Sequence, residues 1–273
     1  KIDLVDWSED VFRDIEAEFT GLASGLGVDD PQVVPISALL GDNVVVPSEN
    51  LPWYPGPTVL ELLESVEVHR GRSHDLDFRL PVQHVIREHA TDYRGYAGRI
   101  DAGRIRPGDT VHLPHGRTTQ VTGIDTADGP VGEAAAGDSV VLLLADDIDL
   151  ARGDLIAGAG RPAEVRTFAA TLVALTEKPL AEGAAVKVRY GTALVRGRIA
   201  AVERVLDLDG NADVEKPDAV SLNDIAHVRI ETAAELPVEP YAARGAVGNL
   251  LLIDPASGNT LAAGFVGHRL RGE

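Results

Sequence analysis

Hydrophobic and polar positions follow a helical period in the first quarter of the chain. Apolar residues recur every three or four positions across residues 8–26 and again across residues 58–68, which predicts two amphipathic helices. Ser8 is a suitable N-cap for the first helix, and Gly27 is a suitable stop. Between the helices, the β-branched run at residues 32–36 predicts a short buried strand. The predicted buried face of the first helix consists of Val11, Phe12, Ile15, Phe19, Leu22 and Leu26.

The rest of the chain is patterned as short strands separated by Gly, Pro and Asp turns. Because no long helical pattern occurs between residues 77 and 161, we expect a closed antiparallel barrel there, and a second barrel after it. The predicted fold class is therefore mainly β, with an α/β piece at the N-terminal end. The predicted divisions are 1–68 for the α/β piece, 69–76 for a linker, 77–161 for the first barrel and 162–273 for the second. The strands predicted in the second barrel are 168–174, 185–190, 192–205, 225–230 and 250–253, followed by a turn at 254–260 and a strand at 261–264.

Composition narrows the class of protein. The 273 residues are enough for two or three small domains, and no apolar run approaches the 18 residues that a membrane helix needs. Cysteine is absent, which excludes disulfides and thiolate metal sites in this sequence and is typical of a cytoplasmic protein. The formal charge of −18 argues against a broad nucleic-acid surface. We expect a cytoplasmic protein that does not bind membranes, with nucleic acid an unlikely partner.

Two short segments carry the candidate chemistry. Lys1 and Asp3 precede the first helix, and Ser37 and Ala38 follow the predicted strand. An aspartate carboxylate has two acceptor oxygens in one plane, which match the adjacent N–H donors on one edge of guanine. The N–H of Ala38 can serve the base carbonyl, and the stem of Lys1 can lie along the face of the base. Taken alone, Ser37 is better explained as a turn or helix-cap hydroxyl.

The residues that follow extend this pattern. The segments 41–44, 48–58 and 60–64 resemble the end of the G domain in translational-type GTPases, although no G-x-x-x-x-G-K-[ST] phosphate loop occurs in this sequence. In the first barrel, the run D-Y-R-G-Y-A-G at residues 92–98 resembles the family of bacterial sulfate adenylyltransferase subunit 1. The segments 80–83, 137–138, 147–154, 222–225 and 253–264 resemble the same family.

The resemblance implies a G domain followed by two β-barrels, in a subunit that binds GTP with Mg²⁺ and hydrolyses it. Its partner would be the catalytic subunit, sulfate adenylyltransferase subunit 2, which makes adenosine 5′-phosphosulfate, and an adenylylsulfate kinase is fused or associated in some members. By position, Asp3 would pair with the guanine edge and Lys1 would pack on its face. Ser37 and Ala38 would complete the pocket, with Leu39 where small GTPases have lysine. The sequence indicates no catalytic residue and no metal ligand.

A second class stays open, a translation elongation or release GTPase whose barrels would bind tRNA. Elongation factor 1-alpha has a Gly-rich strand pair leading to a G-T-V segment where this chain has residues 87–98. That difference favours the adenylyltransferase subunit.

Three further groups have both a functional and a structural interpretation. Residues 207–215 resemble a calcium loop, but the position of the glycine favours a solvated turn. His112 and His115 have the spacing of metal ligands, but the adjacent Pro and Gly favour a hairpin turn. The last group could form a partner surface or an ordinary barrel face. It consists of Arg87, Tyr93, Arg94 and Tyr96.

Overall fold

The computed structural model describes residues 1–25, 28, 30–66, 74–88, 93–207, 214–241 and 247–267. The chain divides into two compact units, and the division falls between residues 69 and 70. Of the predicted linker 69–76, only the last three residues belong to the described part of the chain. No helix within the described residues is both long and apolar enough to cross a membrane.

The first unit contains the two predicted helices. A 3₁₀ turn at Ile2–Val5 precedes α1 (Glu9–Gly25), and α2 is formed by Val59–Ser65. Ser8 caps α1 through its Oγ, which accepts from the N–H of Val11 at 3.4 Å. Thr58 caps α2 in a reciprocal capping box with Glu61. Both helices are therefore confirmed, and local capping chemistry explains where each begins.

The predicted buried face of α1 is largely wrong. Of the described members of that face, only Phe12 is buried, in a small core with Ile2 and Leu51, where its ring lies 5.4 Å from that of Trp53. The other predicted core residues are exposed because, within the described residues, the rest of the unit covers only one side of the helix. Their exposed fractions are 36% for Val11, 58% for Ile15, 49% for Phe19 and 62% for Leu22, and Leu26 lies outside the described residues.

The predicted strand at residues 32–36 has no regular secondary structure and belongs to no strand ladder. Among the described residues, its neighbourhood has only isolated bridges, such as the one between Ser37 and Asp42. The prediction of a strand is wrong because a strand needs a paired neighbour, and the backbone of Ile36 bonds instead to the segment before α1.

The first part of the second unit is an eight-stranded antiparallel sheet in the order β1-β10-β5-β6-β9-β3-β2, with β7 paired to β6. The strands at its two ends, β1 and β2, are consecutive in the chain, and the N–H of Gln83 between them donates to Ala97 of β3. The sheet therefore curls back on itself as a barrel. Its strands, with the small pair β4 and β8, are β1 (Arg79–Pro81), β2 (His84–Glu88), β3 (Tyr93–Arg99), β4 (Arg104–Ile105), β5 (Thr110–His112), β6 (Thr118–Thr126), β7 (Gly129–Pro130), β8 (Ala134–Ala135), β9 (Ser139–Leu144) and β10 (Leu155–Ala157).

The second part is a closed ring of six antiparallel strands, β13-β18-β19-β11-β17-β14, which closes because β13 pairs with both β18 and β14. The inward-facing positions of these strands form one apolar core that includes Leu172, Val188 and Ile230. The strands, with β15 on the edge of β14 and the small pair β12 and β16, are β11 (Glu164–Ala174), β12 (Leu180–Ala181), β13 (Ala185–Tyr190), β14 (Ala193–Val205), β15 (Val214–Glu215), β16 (Ala219–Val220), β17 (Ile225–Pro237), β18 (Asn249–Ile253) and β19 (Thr260–Val266).

A buried arginine joins the two barrels. Arg79 of β1 donates from Nε and Nη2 to the carboxylate of Glu239, at 2.7 and 3.0 Å, and its side chain is only 6% exposed. Its guanidinium also donates to the carbonyls of Phe78 and Gly160, at 2.9 and 2.7 Å. All of its charge is therefore neutralised within the protein. Beside it, burial raises the pKa of Asp101 to about 6.

Candidate functional site

The two segments predicted to carry the site meet at the carbonyl of Ile36. This oxygen accepts from the backbone nitrogen of Lys1 at 2.9 Å and from that of Ile2 at 3.0 Å. The turn that carries Lys1 and Asp3 is thereby bonded to the residue directly before Ser37. The structure brings the two halves of the predicted site together.

Ser37 begins a tight turn that presents the next residues to solvent. Its Oγ accepts from the N–H of Leu40 at 3.2 Å, and its carbonyl accepts from the N–H of Gly41 at 2.8 Å. Gly41 has a φ of 87°, a conformation that favours glycine. Ser37 is fully buried, so its hydroxyl shapes the turn as the structural interpretation expects. A direct contact of Ser37 with a base stays a prediction.

The polar groups needed for base reading have no partner within the described part of the chain. The carboxylate of Asp3, which is half-buried, accepts no hydrogen bond there, and the N–H of Ala38 donates none. Lys1 is exposed, and Leu39 at the tip of the turn is 85% exposed. An acceptor and a donor are therefore available on two adjacent turns.

A second group of side chains supports these turns. The carboxylate of Asp42 accepts from Trp7 Nε1 at 2.8 Å, from Ser48 Oγ at 2.5 Å and from Asn50 Nδ2 at 3.4 Å. These hydrogen bonds, the one from Ser48 above all, hold the pKa of Asp42 below its ordinary value. Asp42 is therefore an ionised acceptor at the base of the turn.

Asn43 links the same turn to α2. Its Nδ2 donates to the carbonyl of Pro35 at 3.1 Å, and its Oδ1 accepts from the N–H of Ser48 at 2.8 Å. The backbone carbonyl of Asn43 accepts from Val59 in the first turn of α2. In the sequence, the G-D-N run at residues 41–43 is visible only as part of the family resemblance, and the supporting roles of Asp42 and Asn43 were not predicted.

Tyr96, named as part of a candidate partner surface, is a core residue. It is 1% exposed, and its hydroxyl donates to the carbonyl of Ile148 at 2.5 Å. Its assignment to the surface is wrong because the side chains at positions 93 and 96 of one strand point to opposite faces.

The other members of that cluster are held by acids of the same barrel. Arg94 pairs with Asp147 and Asp149, and its guanidinium lies 5.6 Å from the ring centroid of Tyr96. Arg87 shares Asp149 at 3.3 Å. The hydroxyl of Tyr93 donates to Asp125 at 2.9 Å, and burial is the first cause that raises the pKa of Tyr93 to about 12. These contacts support the structural interpretation, a barrel face stabilised by ion pairs.

The candidate metal ligands do not assemble. Within the described residues, no group of three or more His, Cys, Asp or Glu side chains is placed to hold a metal ion. His115 lies in a short 3₁₀ turn with a φ of 61°. The central part of the calcium-like loop at 207–215, residues 208–213, lies outside the described residues.

Comparison with known proteins finds similar proteins over nearly the whole sequence. Sulfate adenylyltransferase subunit 1 of Chromobacterium violaceum is 42% identical over 272 residues, which cover 97% of this chain and 56% of that protein. The same subunit of Laribacter hongkongensis is 40% identical over 269 residues, covering 97% and 55%. The bifunctional enzyme CysN/CysC of Mycobacterium tuberculosis is 40% identical over 272 residues, covering 97% and 44%. The chain spans about half the length of the curated relatives it matches.

Two further comparisons concern the fold. Residues 167–267 match the model of the GTP-eEF1A C-terminal domain-like family. The crystal structure of Sup35 complexed with GMPPNP has a TM-score of 0.65 and 25% sequence identity, and the match covers 97% of this chain and 67% of that one. The fold predicted from sequence, mainly β with an α/β N-terminal piece and barrels of the elongation-factor type, is confirmed.

Proposed function

We propose that this chain, which resembles the sulfate adenylyltransferase subunit 1 family along nearly all of its sequence, is the base-reading and barrel portion of the GTP-binding subunit of a sulfate adenylyltransferase. The identity of about 40% to these subunits is much higher than the 25% to Sup35. The boundaries 1–68, 77–161 and 162–273 for the G-domain portion and the two barrels are part of this proposal.

The observation that supports base reading is the pair of unengaged groups on two bonded turns. In the proposal, the carboxylate of Asp3 accepts from the two adjacent N–H groups of guanine, and the N–H of Ala38 donates to the base carbonyl. The stem of Lys1 packs against the face of the base, and the turn formed by Ser37 and Leu39 closes the pocket. Adenine has neither the donor pair nor the carbonyl, so the site would reject it.

In the proposal, the function of the complete assembly is the one that the names of these relatives state. The catalytic partner, subunit 2, would join sulfate to the AMP moiety of ATP, giving adenosine 5′-phosphosulfate and pyrophosphate. The sulfate–phosphate anhydride is very unstable, so its formation is strongly unfavourable; in the proposal, hydrolysis of GTP, for which Mg²⁺ would be the metal, supplies the driving force. A nucleotide can shift the partner only by binding more tightly to one state of the complex than to another. We place no catalytic residue in this chain.

Two further parts of the proposal concern the setting of the protein. The relative from Mycobacterium tuberculosis is named as bifunctional, which is consistent with our proposal of a fused or associated adenylylsulfate kinase. A cytoplasmic location is proposed because the reaction consumes ATP and GTP.

Substitution of Asp3 tests the proposal in the full-length subunit. Asp3→Asn should weaken binding of guanine nucleotides by roughly 2–4 kcal/mol, because the amide places a donor against a donor and the charge-assisted pair is lost. Xanthine nucleotides, which have a carbonyl at that position, should bind the variant better than the parent. Titration calorimetry with both nucleotides measures the two changes.

Asp6→Asn is the matched control, since Asp6 is an exposed acid of the same turn and has a φ of 52° that asparagine tolerates. It should leave both affinities unchanged. If Asp3→Asn binds guanine nucleotides as the parent does, Asp3 does not read the base.

The second candidate is a translation GTPase, which the fold similarity to Sup35 favours. Co-purification separates the two candidates. A bound adenylyltransferase subunit supports the first proposal, whereas bound tRNA supports the second.

A further inference from the structure

We infer that the hydrogen bond between Trp7 and Asp42 positions the two base-reading turns relative to each other, so that both residues control how strictly guanine is distinguished. This inference rests on the proposed function of Asp3 and Ala38. Neither Trp7 nor Asp42 is expected to touch the base. Both are positioning residues.

Hydrogen bonds join the two turns at two separate points. The backbone of Lys1 and Ile2 bonds to a single acceptor, the carbonyl of Ile36. Bonds to one oxygen atom fix a distance but leave the two segments able to rotate about that atom. The bond from Trp7 Nε1 to Asp42, at 2.8 Å and 35 residues apart in sequence, is a second cross-link at a different point. Two separate cross-links leave rotation only about the line that joins them.

The segment that carries Trp7 has an unusual backbone conformation. Asp6 and Trp7 are consecutive residues with φ of 52°, a left-handed conformation that L-residues seldom adopt. Such backbone persists when the surroundings over-determine it, and it concentrates at functional sites. The N–H of Trp7 donates to Ile2 at 3.0 Å, which closes the turn that carries Asp3. The orientation of that turn therefore depends on what holds Trp7.

Two hydrogen bonds hold Trp7, and its side chain also packs against the small core of the first unit. Its indole N–H donates to Asp42, and its carbonyl accepts from the indole N–H of Trp53 at 3.1 Å. Trp53 packs in the small core against Phe12 and Tyr54. Of these two contacts, only the one to Asp42 leads to the turn that begins at Ser37.

Asp42 connects Trp7 to the turn that begins at Ser37 and carries Ala38. Its backbone carbonyl accepts from the N–H of Ser37 at 3.3 Å, so the residue that closes the turn also bonds to Trp7. Asp42 is 9% exposed, and the hydrogen bonds it accepts keep the pKa of its carboxylate low, so the bond to Trp7 is charge-assisted. The chain of contacts thus runs from the Asp3 turn through Trp7 and Asp42 to the Ala38 turn.

A purely structural role of the hydrogen bond between Trp7 and Asp42 would have a different consequence for binding. If the bond only stabilised the fold, its loss would lower the affinity for every nucleoside by the same factor. If it positions Asp3, its loss should act mainly on the ligand that Asp3 reads. Guanosine and inosine separate the two cases, because inosine lacks the 2-amino group that pairs with the carboxylate and keeps the carbonyl that Ala38 serves.

The experiment titrates the 273-residue chain with guanosine and with inosine, and follows binding by nitrogen-edited NMR. The chain has two tryptophans, so its spectrum has two indole N–H signals, and that of Trp53 reports folding in every variant that retains it. Trp7→Phe removes the donor and keeps an aromatic ring. Asp42→Asn keeps an acceptor oxygen and serves as the conservative variant. Asn50→Ala is the matched control, because it removes only the longest bond to Asp42, at 3.4 Å.

Trp7→Phe should lower the ratio of guanosine to inosine affinity about fivefold or more, as expected for one misplaced charge-assisted bond. Asp42→Asn should fall between Trp7→Phe and the parent, and Asn50→Ala should match the parent. An unchanged ratio in folded Trp7→Phe overturns the inference while leaving base reading intact. If Trp7→Phe does not fold, Asp42→Asn decides. The inference is overturned if this variant keeps the parent's ratio of guanosine to inosine affinity although its Trp7 indole proton exchanges freely with solvent. A parent chain that does not prefer guanosine overturns the proposed function, and the inference with it.

Discussion

Replacing Arg79 by alanine should be among the most damaging single substitutions in the barrels. The side chain is 6% exposed and donates four hydrogen bonds, two to the carboxylate of Glu239 and two to backbone carbonyls. Alanine would leave the carboxylate of Glu239, which is 23% exposed, without its cation. Removing one partner of a buried ion pair costs about 3–5 kcal/mol, most of it the penalty for the charge that stays behind.

Two further variants separate the contributions to this loss of stability. Glu239→Gln keeps one acceptor for the guanidinium but removes the negative charge, so an intermediate loss of about 1–3 kcal/mol is expected. Arg198→Ala is the matched control, because Arg198 also donates from Nε and Nη2 to a glutamate, here to one oxygen of Glu231, at 3.1 and 2.6 Å. That pair is 58% and 43% exposed, so its loss should cost about 0–1 kcal/mol.

Urea unfolding followed by far-ultraviolet circular dichroism measures these differences, since the strands of the barrels dominate that signal. Tryptophan fluorescence is the wrong probe for this purpose, because Trp7 and Trp53, the two tryptophans of the chain, belong to the first unit. If Arg79→Ala lowers the free energy of unfolding no more than Arg198→Ala does, the buried pair does not hold the barrels together and the reasoning is refuted.

Two further predictions concern single residues. Burial raises the pKa of Asp101 from 3.8 to about 6, so the folded state holds this proton more tightly than the unfolded chain does. The resulting stability is complete below pH 3.8 and is lost as the pH rises to about 6. Asp101→Asn should remove this pH dependence of the free energy of unfolding, which amounts to about 2 kcal/mol after allowance for the partial exposure of Asp101. Unfolding free energies measured across that pH range test the prediction. Thr58→Ala removes the capping box of α2 and should cost about 1 kcal/mol, measured by tryptophan fluorescence of the first unit; no shift in its unfolding midpoint would contradict the capping argument.

The features that sequence predicted well are those set by neighbouring residues. Ser8 and Thr58 begin the two helices because a hydroxyl accepts from an N–H three positions later. Strand β13 spans the predicted residues 185–190, because alternation and flanking turns are also local signals. The candidate site, which stays a prediction, was proposed on the same kind of local signal, since its two turns carry short recognisable motifs.

The features that sequence could not predict depend on distant residues. Ile15 and Phe19 have the spacing of a buried helix face, but burial requires another segment to cover that face. Tyr96 and Tyr93 look equivalent in sequence, and only the strand geometry assigns one to the core. The contact between Trp7 and Asp42 joins residues 35 positions apart, and no local pattern marks it.

The closed ring of the second barrel has a consequence for amide hydrogen exchange. Each of its six strands has a paired strand on both sides, so no strand can separate without breaking two ladders at once. An open sheet frays from its edge, whereas a ring has no edge from which local opening can start. Amide protons in the middle of β11, β13 and β17 should therefore exchange together, at the rate of complete unfolding of the ring.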